Sequence, residues 1–383
     1  MVIRYSHWNV YMFDHFIVTR TYYFRCMVLA LLLCGHVAAQ TSWPTPPNPQ
    51  DSGTNMSWKT HCVGRVMMSM PEDRKLTWSA QFDNAEVERL QPMSVQQFWD
   101  GVEVVRQRYL NQAHKKFTSR LAHFEKIGNN AAAIIYYDND VSLAGAMLWR
   151  FVYLDETHAY QMQSILGTGR KEAPTPALFQ PYIQRYTPGL SHIHPLAPGQ
   201  IPSRDGLCVD GAVVGGETDR NASAALISEI AFGTALVVTY RENLYQVAIY
   251  NGDEDLKYDE DRAKSMLDYN APDGFREFKV LRKRDHTLAG LVGQEFVTRT
   301  TLNDGHTFYR LKWTVKGALD SGVSKPRIVV HLNTPQTATD AVGKPYDKLP
   351  PELELFKLWD YALSTFKWRV GALPDGQQIQ VVN

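Results

Sequence analysis

Soon after Trp58, apolar and polar positions alternate with a period of two in two short stretches, the signature of half-buried strands. In "HCVGRVMMSM" Cys62, Gly64, Val66, Met68 and Met70 share one face, which predicts a strand over about 61–70. Pro71-Glu72-Asp73 reads as a turn, and "LTWSAQF" alternates as a second strand. The period then changes. Val95, Phe98, Val102, Val105 and Tyr109 recur at steps of three and four, and Ser94 with Gln97 forms a capping box ahead of them. A helix is therefore predicted across "MSVQQFWDGVEVVRQRYLNQAHKK". "AAAIIYYD" and "AGAMLWRFVYL" read as strands, "AYQMQSIL" follows, and a shorter helix is placed near "PALFQPYIQRY".

The segment Thr187–Gly206 is rich in proline and glycine and is taken as a domain boundary. Beyond it the order repeats. A strand starts at Cys208, and "SAALISEI" and "ALVVTYREN" follow. "DEDLKYDEDRAKSMLDYN" predicts a helix with Leu256, Ala263, Met266 and Leu267 on its apolar side. "REFKVLRKRD", "LVGQEFVTRTTL", "HTFYRLKWTVKG" and "PRIVVHLNT" predict strands. A closing helix starts at Pro350 and Pro351 and carries Phe356, Trp359, Leu363 and Phe366 in one stripe. The expected fold class is α+β: two similar domains, 58–200 and 201–383, each an antiparallel sheet with packed helices. The repeated order suggests a duplication, with two unrelated units of one class as the alternative.

The N-terminus looks like a targeting segment. Arg25 precedes an apolar run from Met27 to Leu33, and Val37-Ala38-Ala39 resembles a cleavage site. Residues 1–39 are read as a signal peptide cleaved near Ala39, and the Pro/Ser/Asn-rich 40–57 as a disordered linker. A lipoprotein with Cys34 acylated is the alternative, although Leu33 stands where a small residue is normally needed. Export would leave two cysteines, Cys62 and Cys208, each at the head of the first strand of its half. In an oxidising compartment an isolated pair is more often bonded than free, which makes them a candidate disulfide. The alternative is two buried small hydrophobes.

Formal net charge is zero over 40 basic and 40 acidic residues, which argues against a nucleic-acid partner. No motif carries catalysis: there is no Gly-X-Ser-X-Gly elbow, and Gly290 and Gly293 read as a turn between strands. His192 and His194 could bind zinc from one side of a strand, but no third ligand has sensible spacing, so no metal and no cofactor are predicted. The acidic run 253–261 lacks the glycine and closing glutamate of a calcium loop and reads as a solvated helix start. The basic cluster Lys279–His286 reads as a charged strand edge.

"CVGRVMMSMPEDRKLTWSAQF", "GLCVDGAVVGGETDRNASAALISEI", "TLAGLVGQEFVTRT", "HTFYRLKWTVKG", "PRIVVHLNT" and "LWDYALSTFKWRVGA" together resemble the Tle cognate immunity proteins, which protect against type VI secretion lipase effectors. The resemblance runs from about Trp58 to Ala372 and is most specific around Cys208 and from Leu288 on. It implies an exported, periplasmic, non-enzymatic protein with two α+β domains that binds and inhibits a lipase or phospholipase delivered by another cell. A membrane would be touched only through a lipid anchor. Occlusion of the lipid entrance by two domains joined at a hinge near Pro188–Pro202 is the expected mechanism. Asp253, Glu254, Asp255 and Asp259 are candidates for meeting the partner. A secreted hydrolase centred on His192 and His194, or an envelope glycan-binding module, are the rival readings.

Overall fold

The computed structural model describes residues 56–72, 75–82, 85–141, 145–167, 176–215, 222–242, 275–315, 317 and 326–372. The expected signal peptide, Cys34, the 40–55 part of the linker and the predicted acidic helix with Asp253, Glu254, Asp255 and Asp259 lie outside these residues.

The chain opens with a hairpin, β1 (Trp58–Val63) and β2 (Val66–Pro71). The single strand expected over 61–70 is therefore two strands. Gly64 has φ +62°, a left-handed conformation that favours glycine, and lets the chain reverse between paired Val63 and Val66. A Cβ here would also fall 2.2 Å from the Tyr240 ring. Next come β3 (Leu76–Phe82), β4 (Ala85–Arg89) and helix α1 (Val95–Leu110). The Ser94–Gln97 capping box forms in both directions and satisfies two backbone donors at the N-terminus of α1. Four strands follow: β5 (Leu121–Ile127), β6 (Ala131–Tyr137), β7 (Gly145–Asp155) and β8 (His158–Gly167). Helix α2 (Pro176–Tyr186) and a short 3-10 turn (Pro188–His192) end this half.

The second half begins with β9 (Ile193–Pro195) and the hairpin β10 (Leu207–Val209) and β11 (Ala212–Val214). It continues with β12 (Ala222–Ala231), β13 (Thr234–Glu242), β14 (Phe275–Leu288), β15 (Leu291–Leu302), β16 (Thr307–Val315) and β17 (Arg327–Asn333). Helix α3 (Glu352–Ser364) and β18 (Lys367–Trp368) close it.

Among the described residues, twelve strands form one sheet in the order β14-β15-β16-β17-β13-β12-β3-β4-β8-β7-β6-β5. Every pairing in it is antiparallel. The two halves meet where β3 pairs β12, from Leu76↔Ser228 to Gln81↔Ser223. On each side of this seam the order is the same: a hairpin, then a four-strand meander whose last strand returns beside the hairpin. Two three-stranded sheets, β1-β2-β18 and β10-β11-β9, form a second layer and are linked by an isolated bridge between Gly64 and Cys208. The main core lies between the layers. Val63, Val66, Met68 and Met70 from one hairpin and Leu207, Val209, Ala212 and Val214 from the other bury against Leu226, Val238, Tyr240 and Trp313.

The helices divide between the faces. α1 places Phe98, Val102 and Tyr109 against Ala132, Ile134, Tyr136 and Phe151, on the outer face of the large sheet. Of the predicted stripe, Val105 is half-buried and Val95 is exposed. α2 uses Phe179 and Ile183 against the opposite face of the same strands. α3 buries Leu355, Leu358, Trp359, Ala362 and Leu363 in the main core. From the predicted stripe Trp359 and Leu363 are buried, Phe356 is half-buried, and Phe366 is buried just beyond the helix end.

The segment expected to act as a hinge is tied down at several points. Leu196 N–H donates to Gly211 O, Leu196 O bonds the His158 ring, and Arg369 donates to the carbonyls of Pro202, Arg204 and Gly206. The second layer also crosses the expected boundary, since β18 near the C-terminal end pairs β2 at the start.

Candidate functional site

The expected cysteine pair comes together. Cys62 and Cys208 form a disulfide with their Cα atoms 5.7 Å apart and 146 residues between them in sequence. At the seam Ser79 pairs Ala225, and these residues are separated by the same 146 positions. The pairs Trp78↔Leu226 and Ala80↔Ala224 exchange under that offset. A pseudo-twofold axis therefore passes through the Ser79–Ala225 pair, and the disulfide joins equivalent strands in the layer beneath.

A buried ionic cluster reinforces this junction. Arg65, 1 % exposed, donates from Nε to Glu242 Oε1 at 2.5 Å and from Nη1 to Asp205 and the Ala372 carbonyl. Tyr240 donates its hydroxyl to the same Glu242 oxygen at 2.9 Å. Burial alone lowers the pKa of Arg65, and the Glu242 carboxylate more than reverses that, leaving it raised. Arg369 is held down to about 10, first by burial and then by the Arg65 charge. The cluster thus carries two buried guanidinium groups balanced by Glu242 and the half-exposed Asp205.

The basic run on β14 does more than guard a sheet edge. Arg282 Nη1, Arg284 Nε, His286 Nδ1 and Trp359 Nε1 all bond the buried Glu295 carboxylate, at 2.7, 2.6, 3.1 and 2.8 Å. Arg282 also reaches Asp360 at 2.5 Å, so β14, β15 and α3 are clamped together. Burial alone would raise the pKa of Glu295. The His286, Trp359, Arg282 and Arg284 bonds outweigh it and hold the carboxyl well below its usual range. A carboxyl depressed on folding stabilises above its unfolded pKa and loses that contribution as pH falls toward its folded pKa. Urea melts of the wild type should accordingly weaken as pH drops below about 4. Glu295→Gln should be less stable at pH 7, with a flatter pH profile.

On the outer face of the sheet, the strands flanking the seam present short and polar side chains. Thr77, Ser79 and Gln81 on β3, Ser223 and Ala225 on β12 and Thr239 on β13 are half-buried or exposed. Beside them lie Glu86 and Glu88 of β4 on one bank and Arg241 of β13 on the other, and Ile165 of β8 is 75 % exposed. Both halves contribute to this floor, and α1 rises on its N-half side. Such a surface lets another chain approach the sheet closely and offers opposite charges on its two banks.

The histidine pair builds no comparable site. His192 ends the 3-10 turn and is exposed, while His194 is half-buried on β9. Burial, then Arg204 and His192, lower the pKa of His194. With Leu196, Gln200 and Arg204 it lines a cleft of about 330 Å³. Among the described residues no three His, Cys, Asp or Glu side chains converge as metal ligands. No described helix is long and apolar enough to cross a membrane.

Comparison with known proteins then gives the frame. The apo structure of immunity protein TplEi of T6SS from Pseudomonas aeruginosa is similar with a TM-score of 0.63 at 18% identity, over 82% of this chain and 98% of that one. A chain of the Tle4–Tli4 complex is similar with a TM-score of 0.64 at 18% identity and the same coverage. TplEi complexed with "L" peptide gives 0.60 at 17% identity, again over 82% and 98%. At this identity the likeness is one of fold. No curated protein matches the chain. Residues 200–371 match the Tle cognate immunity protein 4 C-terminal domain.

Proposed function

We propose that the chain is an immunity protein that binds a lipase or phospholipase effector and inhibits it by occluding the lipid entrance. The observation that carries this is the match of residues 200–371 to the immunity-protein domain. A protein of the same fold stands in a Tle4–Tli4 complex, which supports direct binding. The site of action is the periplasm, in keeping with the signal peptide read over 1–39 and with a disulfide that persists in an oxidising compartment. The chain works by binding and not by catalysis.

The contact surface is the outer face at the seam. A lipase must admit lipid through an apolar mouth, and a broad floor beside α1 can cover that mouth. The halves act as one unit: six seam pairs, the disulfide and the Arg65 cluster join them, which replaces the hinge with a preorganised surface. The shared strand order and the shared 146-residue offset support a duplication as the origin of this geometry. The acidic run with Asp253, Glu254, Asp255 and Asp259 adds charge that speeds association.

The test is co-production of the mature chain and a cognate lipase effector, both sent to the periplasm. Growth should be rescued, and the same chain kept in the cytoplasm should fail to protect. Ala225→Arg, placed on the axis with its side chain on the outer face, should weaken binding at least tenfold without changing thermal stability. Unchanged affinity would move the contact off the seam.

A further inference from the structure

The cleft beside β9 lies in the second layer, away from the outer face at the seam. Its walls are His194 and the segment that follows, with Gln200, Ser203 and Arg204 as the other polar side chains. Backbone bonds hold this wall in place. Leu196 N–H donates to Gly211 O, Gln200 N–H to Ala197 O, and Arg369 donates to the carbonyls of Pro202, Arg204 and Gly206. The Gln200 side-chain oxygen accepts from Ala197 N–H at 3.0 Å, which leaves its NH2 group to donate. Arg204 is exposed, and its guanidinium has no hydrogen bond or ion pair among the described residues. No carboxylate is among the described residues that line the cleft. Asp205, the next residue, is engaged by Arg65. A second guanidinium, that of Arg369, lies buried behind the wall with 2 % exposure. His192 stands near His194, and burial, Arg204 and His192 together lower the His194 pKa, in keeping with cations gathered around an unfilled cleft.

We propose that this cleft binds a phosphate ester, with Arg204 as its main ligand and His194, Gln200 and Ser203 as further donors. The donor set carries the choice of ligand. A guanidinium presents a planar fork of N–H groups that two phosphate oxygens can share. An imidazole N–H, an amide NH2 and a hydroxyl stand around it, and an ionised phosphate offers acceptors to all of them. A volume of about 330 Å³ is at the small end for a ligand pocket and suits a phosphate on a short ester. Apolar side chains flank the cleft. Ile201 is 46 % exposed and Val370 85 %, and Gly371, next to Val370, lies against the Ser203 carbonyl. The same chemistry is offered by a free phosphate ester and by the headgroup of an anionic phospholipid. Ile201 and Val370 suit the lipid, whose glycerol and first acyl carbons would lie beside its phosphate.

This inference goes beyond the effector reading and does not rest on it, because it concerns the chain without effector and a surface away from the seam. The test has two arms on the mature chain. One is flotation with phosphatidylglycerol vesicles, with phosphatidylcholine vesicles beside them. The other is calorimetric titration with sn-glycerol 3-phosphate. Binding is expected in both arms, tighter to phosphatidylglycerol than to the soluble ester and weak to phosphatidylcholine. The chain has a formal net charge of zero, so general attraction to an anionic surface does not predict this. Arg204→Gln should weaken binding about tenfold, the loss of a hydrogen bond to a charged group, and leave the melting temperature unchanged. Arg204→Glu should abolish it. Lys116→Gln, which removes an exposed cation elsewhere, should change nothing. Binding of the soluble ester alone, lost in Arg204→Gln, would uphold the site and assign it a free ligand. Absence of binding in both arms would overturn the proposal. Binding that Arg204→Gln leaves intact, or that Lys116→Gln weakens equally, would do so as well.

Discussion

Replacing Glu242 with alanine should cost about 3–5 kcal/mol of folding stability, the range for breaking a buried ion pair by removing one partner. Arg65 is 1 % exposed and cannot reach water when its carboxylate is lost. Asp205 is 30 % exposed and would be left as its one charged partner among the contacts observed. The loss is compounded by Arg369, whose pKa burial and Arg65 already lower. Tyr240 loses its acceptor at the same time. The double variant Arg65→Met/Glu242→Leu should recover much of the loss, because well-packed apolar side chains replace a buried pair at little net cost. Urea denaturation of the two variants beside the wild type checks both statements. Equal stability of Glu242→Ala and wild type would show that the cluster is not what holds the hairpin to β13.

Removing the disulfide should be the other large effect. In the chain-entropy model, a link closing a loop this long restrains the unfolded chain by about 5 kcal/mol, and native disulfides removed from proteins cost about 2–5. Cys62→Ser/Cys208→Ser should therefore melt roughly 5–10 °C lower. It should still fold, because the six β3–β12 pairs and the shared core survive without the bond. The effect should be confined to the oxidised state, so thermal melts of the wild type with and without reductant should reproduce the difference. Two free thiols in denatured, unreduced mature protein would contradict the bonded pair. A redox-dependent loss of this size also fits a protein that works after export.

The parts of this fold legible in the sequence were those set by short-range physics. The α1 cap depends on residues three apart, and Ser94 with Gln97 announced it. The period of two announced β3, apolar strand-like runs announced β6, β7 and β12 to β17, and the rarity of cysteine beyond residue 39 announced Cys62 and Cys208. Other elements depend on contacts distant in sequence. β4 and β5 carry many charges, Glu86, Glu88 and Arg89 in one and His123, Glu125 and Lys126 in the other, so neither looks like a buried strand. The hairpin at Gly64 was concealed because Val66, Met68 and Met70 continue the alternation begun at Cys62 across the turn. Arg65 looks like an ordinary surface cation until β13 brings Glu242 beside it from 177 residues away.

The seam was hidden for the same reason. Its outward residues, Thr77, Ser79, Gln81, Ser223 and Ala225, are small or polar and look like the solvent side of any strand. Only the pairing of β3 with β12 gathers them into one surface. The Pro- and Gly-rich segment after Thr187 suggested separable domains. In the structure that segment makes hydrogen bonds to the β10–β11 turn, His158 and Arg369. A signal for this existed in Arg369, a long cation between aromatic and apolar residues near the end of the last core element, but nothing local named the carbonyls it would bind.

The measurement that tests the central claim most directly is lipase activity on phospholipid vesicles with increasing amounts of the purified, oxidised mature chain. The enzyme would be a cognate lipase effector. The account predicts that hydrolysis falls to background as the chain reaches one equivalent, with a complex that survives gel filtration. Full activity in the presence of a folded, disulfide-bonded excess of the chain would contradict it.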